Sequence, residues 1–269
     1  MSHPTQELLD ELLLEFDDRE HFLASMLVGS GARGELRKYS DLDLTFVSES
    51  PVKDDRSKYK LVYRRGRLIS INLRSLSELE ELFDSPRQAV TAMQVIRDSR
   101  ILRDSDEVLE KIRRKALAFE WTAEFQKKAE REASYELMAN TEELHKILKG
   151  LSENHELAML AGAWGIALSM PMVIALKKGI LSCGDNNFFR QVRESTGMDS
   201  NWTRYHEIAC GARSAKIADC RLNQEALAAA HLYLETAGLC DSIIEGDDRI
   251  VVETAKQIAK ASGLLRPLS

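Results

Sequence analysis

The sequence predicts a small α+β domain built on a mixed sheet, followed by an all-α helical bundle. Three observations predict it. Short apolar runs, several alternating with polar residues, recur up to about residue 104. From residue 105 onward these strand signals vanish, and long stretches carry apolar residues at helical spacing. Glycines such as Gly179, Gly197 and Gly246 stand between those long helical patterns, where they read as breaks or caps. A chain of 269 residues can bury two cores, so the expected domains are 1–104 and 105–269.

Taken in order, Leu8, Leu9, Leu12, Leu13 and Phe16 recur at helical spacing with Glu and Asp opposite them, which predicts an amphipathic helix over roughly 5 to 18. Residues 22–28 are a nearly unbroken apolar run ending in glycine, as a buried strand requires. Residues 31–37 read as a short helical turn capped by Ser30. Asp41, Asp43 and Thr45 then alternate with Leu42, Leu44 and Phe46, so a second strand projects both carboxylates from one face. A polar loop over 49–58 leads to strands at 59–63 and 68–73, joined at Arg64-Arg65-Gly66-Arg67 as a hairpin. Ser75 with Glu78 forms a capping box, and Ser85 before Pro86 starts another helix ending near Asp98. Residues 100–102 supply a last short strand.

The helical half reads as one long helix or two over 106–149, a helix over 152–178, and a shorter one marked by Phe188, Phe189 and Val192. Patterns over 202–217, 223–244 and 247–261 complete the bundle. Gly179, Gly184, Gly197, Gly246 and Gly263 read as breaks or C-terminal caps. Trp121, Trp164, Trp202 and Tyr205 offer aromatic walls for a substrate cleft between the domains, or, as aromatic residues at helical spacing usually are, they are core.

Hydrophobic residues at 44% and charged residues at 30% describe a soluble globular protein. The net charge of -6 argues against a nucleic-acid binder, whose affinity is built from an excess of Lys and Arg. Cys183, Cys210, Cys220 and Cys240 are separated by 27, 10 and 20 residues, which gives no zinc spacing, and reads as reduced, packed thiols. The acidic, amphipathic amino terminus is not expected to be a targeting segment, and no uncharged apolar run is expected to reach the ~18 residues of a membrane span. The expected location is the cytoplasm, with no membrane partner.

The chemistry concentrates in residues 26–47. Gly29, Gly31 and Gly34 spell GxGxxG, with Glu49 where a ribose ligand would stand. Yet strand, turn, crossover helix and second strand would have to fit within residues 22–47, 26 in all, where such a unit takes roughly 30 and its crossover about a dozen. A Walker A loop lacks its GK[ST]. A phosphate turn followed by a metal pair uses every feature instead. Gly29 permits close backbone approach, the Ser30 hydroxyl and nearby free amides hold phosphate oxygens, and Asp41 and Asp43 offer hard ligands to a divalent cation.

Gly29-Ser30, ten residues, then Asp41-x-Asp43 resembles the GSx10DxD signature of the DNA polymerase β-like nucleotidyltransferase superfamily. The fuller strings Gly-Ser-Gly-Ala-Arg-Gly-Glu and Tyr-Ser-Asp-Leu-Asp-Leu are similar to its bacterial branch of aminoglycoside, lincosamide and minimal nucleotidyltransferases. The resemblance implies a nucleotidyltransferase domain with a helical domain after it. It implies that Ser30 meets the triphosphate, that Asp41 and Asp43 bind Mg2+, and that ATP or another nucleoside triphosphate is the substrate. Arg33, in the Ser-x-x-Arg spacing of the kanamycin enzyme, either meets a phosphate oxygen or forms a surface ion pair with Glu35 or Asp10. The acceptor would be a hydroxyl of a small molecule or a protein.

Many members of that superfamily carry a third carboxylate on a later strand, and here the matching position is Asn72, which cannot accept a proton. In the kanamycin enzyme a glutamate of the helical domain is the base, which makes Glu142, Glu143 and His145 the candidates here. Helical spacing puts Glu142 and His145 on one face, and the alternative is that all three are solvated residues of a charged helix. The rival reading is a regulatory or antitoxin-like protein that binds nucleotide on the same scaffold without efficient catalysis.

Overall fold

The computed structural model describes residues 3–16, 22–51, 58–215 and 220–268. The end of the expected first helix, most of the 49–58 loop and the end of the pattern over 202–217 lie outside the described residues. By internal contacts the chain divides into two compact units, Met1–Glu120 with Leu181–Gly184, and Trp121–Ile180 with Asp185–Ser269.

In the first unit a helix α1 (His3–Phe16) precedes strand β1 (Ala24–Val28), a one-turn helix α2 (Gly29–Ala32) and strand β2 (Leu42–Ser48). Strands β3 (Tyr59–Arg64) and β4 (Arg67–Ser75), helices α3 (Leu76–Glu80) and α4 (Pro86–Arg97), strand β5 (Arg100–Asp104) and helix α5 (Val108–Ala118) follow. The sheet is mixed, in the order β3-β4-β2-β1-β5. β2 runs parallel to β4, and the β1–β2, β1–β5 and β3–β4 pairs are antiparallel. The expected small mixed sheet with helices, followed by a mostly helical region, is therefore what the chain forms.

Local chemistry explains these elements. Leu8, Leu9 and Leu12 of α1 are buried against Leu27, Leu42, Leu44, Phe46, Ile69 and Ile71, so this helix closes one face of the sheet. Each such side chain contributes about 1.5–3 kcal/mol when fully buried. The β3–β4 hairpin turns at Arg65 and Gly66, both left-handed at φ 51 and 75. Arg65 is non-glycine there, and its guanidinium is held by Glu7 and Glu11 of α1. Ser75 and Glu78 make the expected capping box, and Ser85 accepts from the Gln88 amide with Pro86 in the first turn of α4.

The expected boundary at 104/105 falls earlier than the observed division. α5 buries Leu109, Ile112 and Ala116 and contacts α4, β1 and β5, all within the first unit. Residues 181–184 belong there too, with the Ser182 amide donating to Val90 O at 2.7 Å. What periodicity presents as one or two helices over 106–149 is three, counting α5, because Thr122 starts α6 (Ala123–Ala139) and Asn140 ends it before α7 (Thr141–Glu153).

The second unit is helical: α6, α7, α8 (Glu156–Lys178), α9 (Asp185–Thr196), α10 (Asn201–Ala209), α11 (Arg221–Leu239) and α12 (Gly246–Ala261). α8 is its centre and contacts α6, α7, α9, α10 and α11. This helix corrects one expectation, since residues 157–176 are free of charged side chains, and by length and composition α8 could cross a membrane. Half of its most apolar window is buried inside the unit, against the helices packed around it, whereas Leu157, Trp164 and Leu168 of the same helix are exposed. Gly179 caps it in the left-handed conformation, φ 63.

Candidate functional site

The site is assembled where β1 hands over to α2. Val28, the last residue of β1, stands opposite Asp43 of β2, and Asp43 stands beside Ser70 of β4. After Val28 the chain turns through Gly29 at φ +64. A Cβ at that position would lie 2.8 Å from Asp43 Oδ2, so glycine is required both for the backbone angle and for the carboxylate alongside it. Gly31 is needed for a different reason. A Cβ there would meet Leu42 Cδ2 at 3.1 Å and Leu27 Cδ1 at 3.2 Å, so its absence lets the turn rest on the core.

Ser30 lies inside α2 rather than at its cap. The cap position is Val28, which makes no side-chain hydrogen bond, and α2 is only four residues long. The expected Ser30-capped turn over 31–37 is thus shorter and begins earlier, because Gly29 initiates it and Gly34, φ +74, follows it. With so short a helix a macrodipole is negligible, and any anion held here would meet turn amides and the Ser30 hydroxyl.

Asp41 immediately precedes β2, and both it and Asp43 are partly exposed, whereas Leu42 and Leu44 between and beyond them are fully buried. Strand alternation therefore keeps the pair at the surface end of one face. Among the described residues no three His, Cys, Asp or Glu side chains come together as a metal-binding group. Arg33 forms an ion pair with Glu35, Nε to Oε2 at 2.8 Å, the first of the two partners that sequence offered.

The β4 positions on the Asp43 face are Ser70, paired with Asp43, and Asn72, paired with Thr45. Asn72 Nδ2 donates to Ser70 Oγ at 3.3 Å. Neither is an acid. Sequence pointed to Asn72 alone, although the same alternation would have found Ser70, the nearer of the two in register. Arg67 had no sequence signal at all. Its Nη1 donates to Ser40 O at 2.6 Å and so fixes the peptide entering Asp41, within a turn where the Ser40 amide donates to Arg37 O at 3.1 Å.

A family model described as a nucleotidyltransferase domain matches residues 9–101. Residues 9–101 are a nucleotidyltransferase domain. The match covers α1 from Leu9, the whole turn, the aspartate pair, and the sheet as far as the start of β5. No protein with a curated description matches the chain. Among solved structures, the chain is similar to a nucleotidyltransferase-like protein from Exiguobacterium sibiricum 255-15, at 12% identity and a TM-score of 0.48, over 89% of this chain and 78% of that one.

Glu142, Glu143 and His145 lie outside the nucleotidyltransferase domain, on α7 of the helical unit. Glu142 and His145 line a cavity of about 460 Å3 together with Met138, Thr141, Lys146 and Lys149. Glu143 points elsewhere, pairing with Lys146 at 2.6 Å and packing against Gly165 of α8. Of the four aromatic residues weighed from sequence, Trp202 is buried, with Nε1 donating to Thr236 Oγ1 at 2.9 Å. Tyr205 stacks on His231 and Trp121 packs edge-on to Phe125, while Trp164 is exposed.

Proposed function

We propose that the protein transfers a nucleoside monophosphate, AMP from ATP, onto a hydroxyl of a small molecule or a protein, with Mg2+ as cofactor. The single observation that carries this is the contact of the Gly29 turn with Asp43: a phosphate-sized turn and a carboxylate pair meet at one point of a nucleotidyltransferase domain. Two carboxylates suit Mg2+, which typically takes one or two from protein and completes its octahedron with substrate phosphates and water. Asp41 and Asp43 would hold it. When bound, the cation would neutralise charge on the triphosphate.

The chain's own residues would act as follows. Ser30 Oγ and the turn amides would bind β- and γ-phosphate oxygens, and Gly29 keeps the backbone close enough for them to reach. Arg33 would reinforce that contact after exchanging Glu35 for a phosphate oxygen. Arg67 holds the Ser40 carbonyl and thereby orients Asp41. The acceptor oxygen would bond to the α-phosphorus as the α–β P–O bond breaks, and pyrophosphate leaves with the electron pair. The acceptor's proton would pass to water, since β4 offers a hydroxyl and an amide in place of an acid.

Ser70 and Asn72 favour a second reading, in which the domain binds nucleotide as a regulatory or antitoxin-like partner and turns over slowly or not at all. Pyrophosphate release from ATP and Mg2+ with a panel of hydroxyl acceptors, compared with Asp41→Asn/Asp43→Asn, separates the two. Release by the wild type that the double variant lacks supports transfer. Mg-dependent ATP binding without release by either protein supports the regulatory reading, and absence of Mg-dependent binding would sink both.

A further inference from the structure

The site face of the sheet continues past β4 onto the edge strand β3. Tyr59 is paired with Asn72, Leu61 with Ser70 and Tyr63 with Leu68, so Asp43, Ser70 and Leu61 form one row across three strands. Tyr59, Leu61 and Tyr63 share that face by alternation. They are 51%, 49% and 70% exposed, whereas Val62 on the opposite face packs against the core under α1. An edge strand normally hides large apolar side chains or interrupts them with charge. Here the three form a continuous apolar, aromatic stripe about 10 Å from Asp43, at roughly 4.8 Å per strand.

Direction ties this stripe to the site. The Gly29-Ser30 turn lies on the β1 side of Asp43. Under the proposed function the β- and γ-phosphates sit there and pyrophosphate leaves toward β1. A nucleophile entering in line with the leaving group must then come from the β4 and β3 side. Between Asp43 and the edge strand, the row an acceptor would cross contains, among the described residues, Ser70, Asn72 and then Tyr59, Leu61 and Tyr63, with no carboxylate. That lining is wrong for a polycation and right for a neutral hydroxyl compound with a flat apolar or aromatic face, which can stack on tyrosine rings and hydrogen-bond the partly exposed Asn72, while Ser70 is buried beneath.

We infer that Tyr59, Leu61 and Tyr63 are the acceptor platform of this domain, and that the acceptor is an uncharged, hydroxylated molecule carrying an apolar or aromatic ring. This inference rests on the proposed nucleotidyl transfer for its direction, and on exposure and register for the stripe itself. The test uses the full chain and a matched pair of probes, p-nitrophenyl β-D-glucopyranoside and methyl β-D-glucopyranoside, which present the same sugar hydroxyls with and without an aromatic ring. Kanamycin serves as the polycationic comparison. Binding is read by ligand-observed NMR titration with and without Mg2+ and α,β-methylene-ATP, and oligomeric state by light scattering.

The expected result is binding of the aryl glucoside about tenfold tighter than the methyl glucoside. Tyr59→Ser/Tyr63→Ser should abolish that preference, Leu61→Ser should reduce it, and Tyr59→Phe/Tyr63→Phe should keep it. Nucleotide affinity should change less than twofold in all of them. The inference is overturned by equal binding of the two glucosides, by a preference that survives the serine variants, or by tighter binding of kanamycin. A wild-type dimer that the serine variant makes monomeric also overturns it, because the stripe would then be covered by a second copy. If the nucleotide analogue fails to bind while the aryl preference and its loss persist, the transfer reading falls and the ring-binding platform stands.

Discussion

Replacing Gly29 by alanine tests the geometry at the centre of the site, and Gly34 provides its control. Both glycines are left-handed, at φ +64 and +74, so an alanine at either carries the same backbone strain, about 1–2 kcal/mol. They differ in what the new methyl meets. At Gly34 nothing lies within 4 Å, whereas at Gly29 Asp43 Oδ2 is 2.8 Å away and must move. Urea denaturation should therefore show a loss of about 1–2 kcal/mol for Gly34→Ala and a similar or slightly larger loss for Gly29→Ala. Calorimetric titration of ATP in Mg2+ should separate them. Gly34→Ala should bind within about twofold of the wild type, and Gly29→Ala at least about tenfold more weakly, the equivalent of one lost charge-assisted contact of about 1.5 kcal/mol. Equal ATP affinity in the two variants would refute the claim that Gly29 exists to admit the carboxylate.

Two further outcomes follow from the structure. Arg67→Ala frees the Ser40 carbonyl and should cost about 1–2 kcal/mol in folding, with several-fold weaker Mg-dependent nucleotide binding; unchanged binding would show that the peptide before Asp41 needs no such anchor. His206 is fully buried, its Nδ1 accepting from Arg193 Nε at 3.0 Å and its Nε2 facing Ala167 O at 3.1 Å, beside Glu207 and Cys210. Burial, with the charge of Arg193, lowers its pKa from the ordinary 6.5 to about 4. Above pH 6.5 the ring is neutral both folded and unfolded, so the full stability is present. As pH falls from 6.5 toward 4 only the unfolded chain gains the proton, and about 3 kcal/mol is lost at ~1.4 kcal/mol per pH unit. Urea midpoints across that window should lose this slope in His206→Gln, and an unaltered slope would assign the pH dependence to other groups.

The sequence by itself determined the elements whose cause is local. Ser75 with Glu78 and Ser85 with Pro86 set helix starts within a few bonds of themselves, and the structure contains both caps. Alternation likewise put Leu42 and Leu44 in the core and their neighbouring aspartates at the surface, because side chains in a strand must take opposite sides. Tertiary structure decided what depends on partners distant in sequence. Ser30 is not a cap because the turn begins at Gly29, and α5 belongs with the sheet because its buried face meets β1 and β5. The uncharged run in α8 gains its meaning only from the helices packed around it. Most of all, the approach of Asp43 to Gly29, the place of Ser70 beside Asp43, and the reach of Arg67 to Ser40 come from strand register. Register is a property of pairs of strands, so no single stretch of sequence contains it.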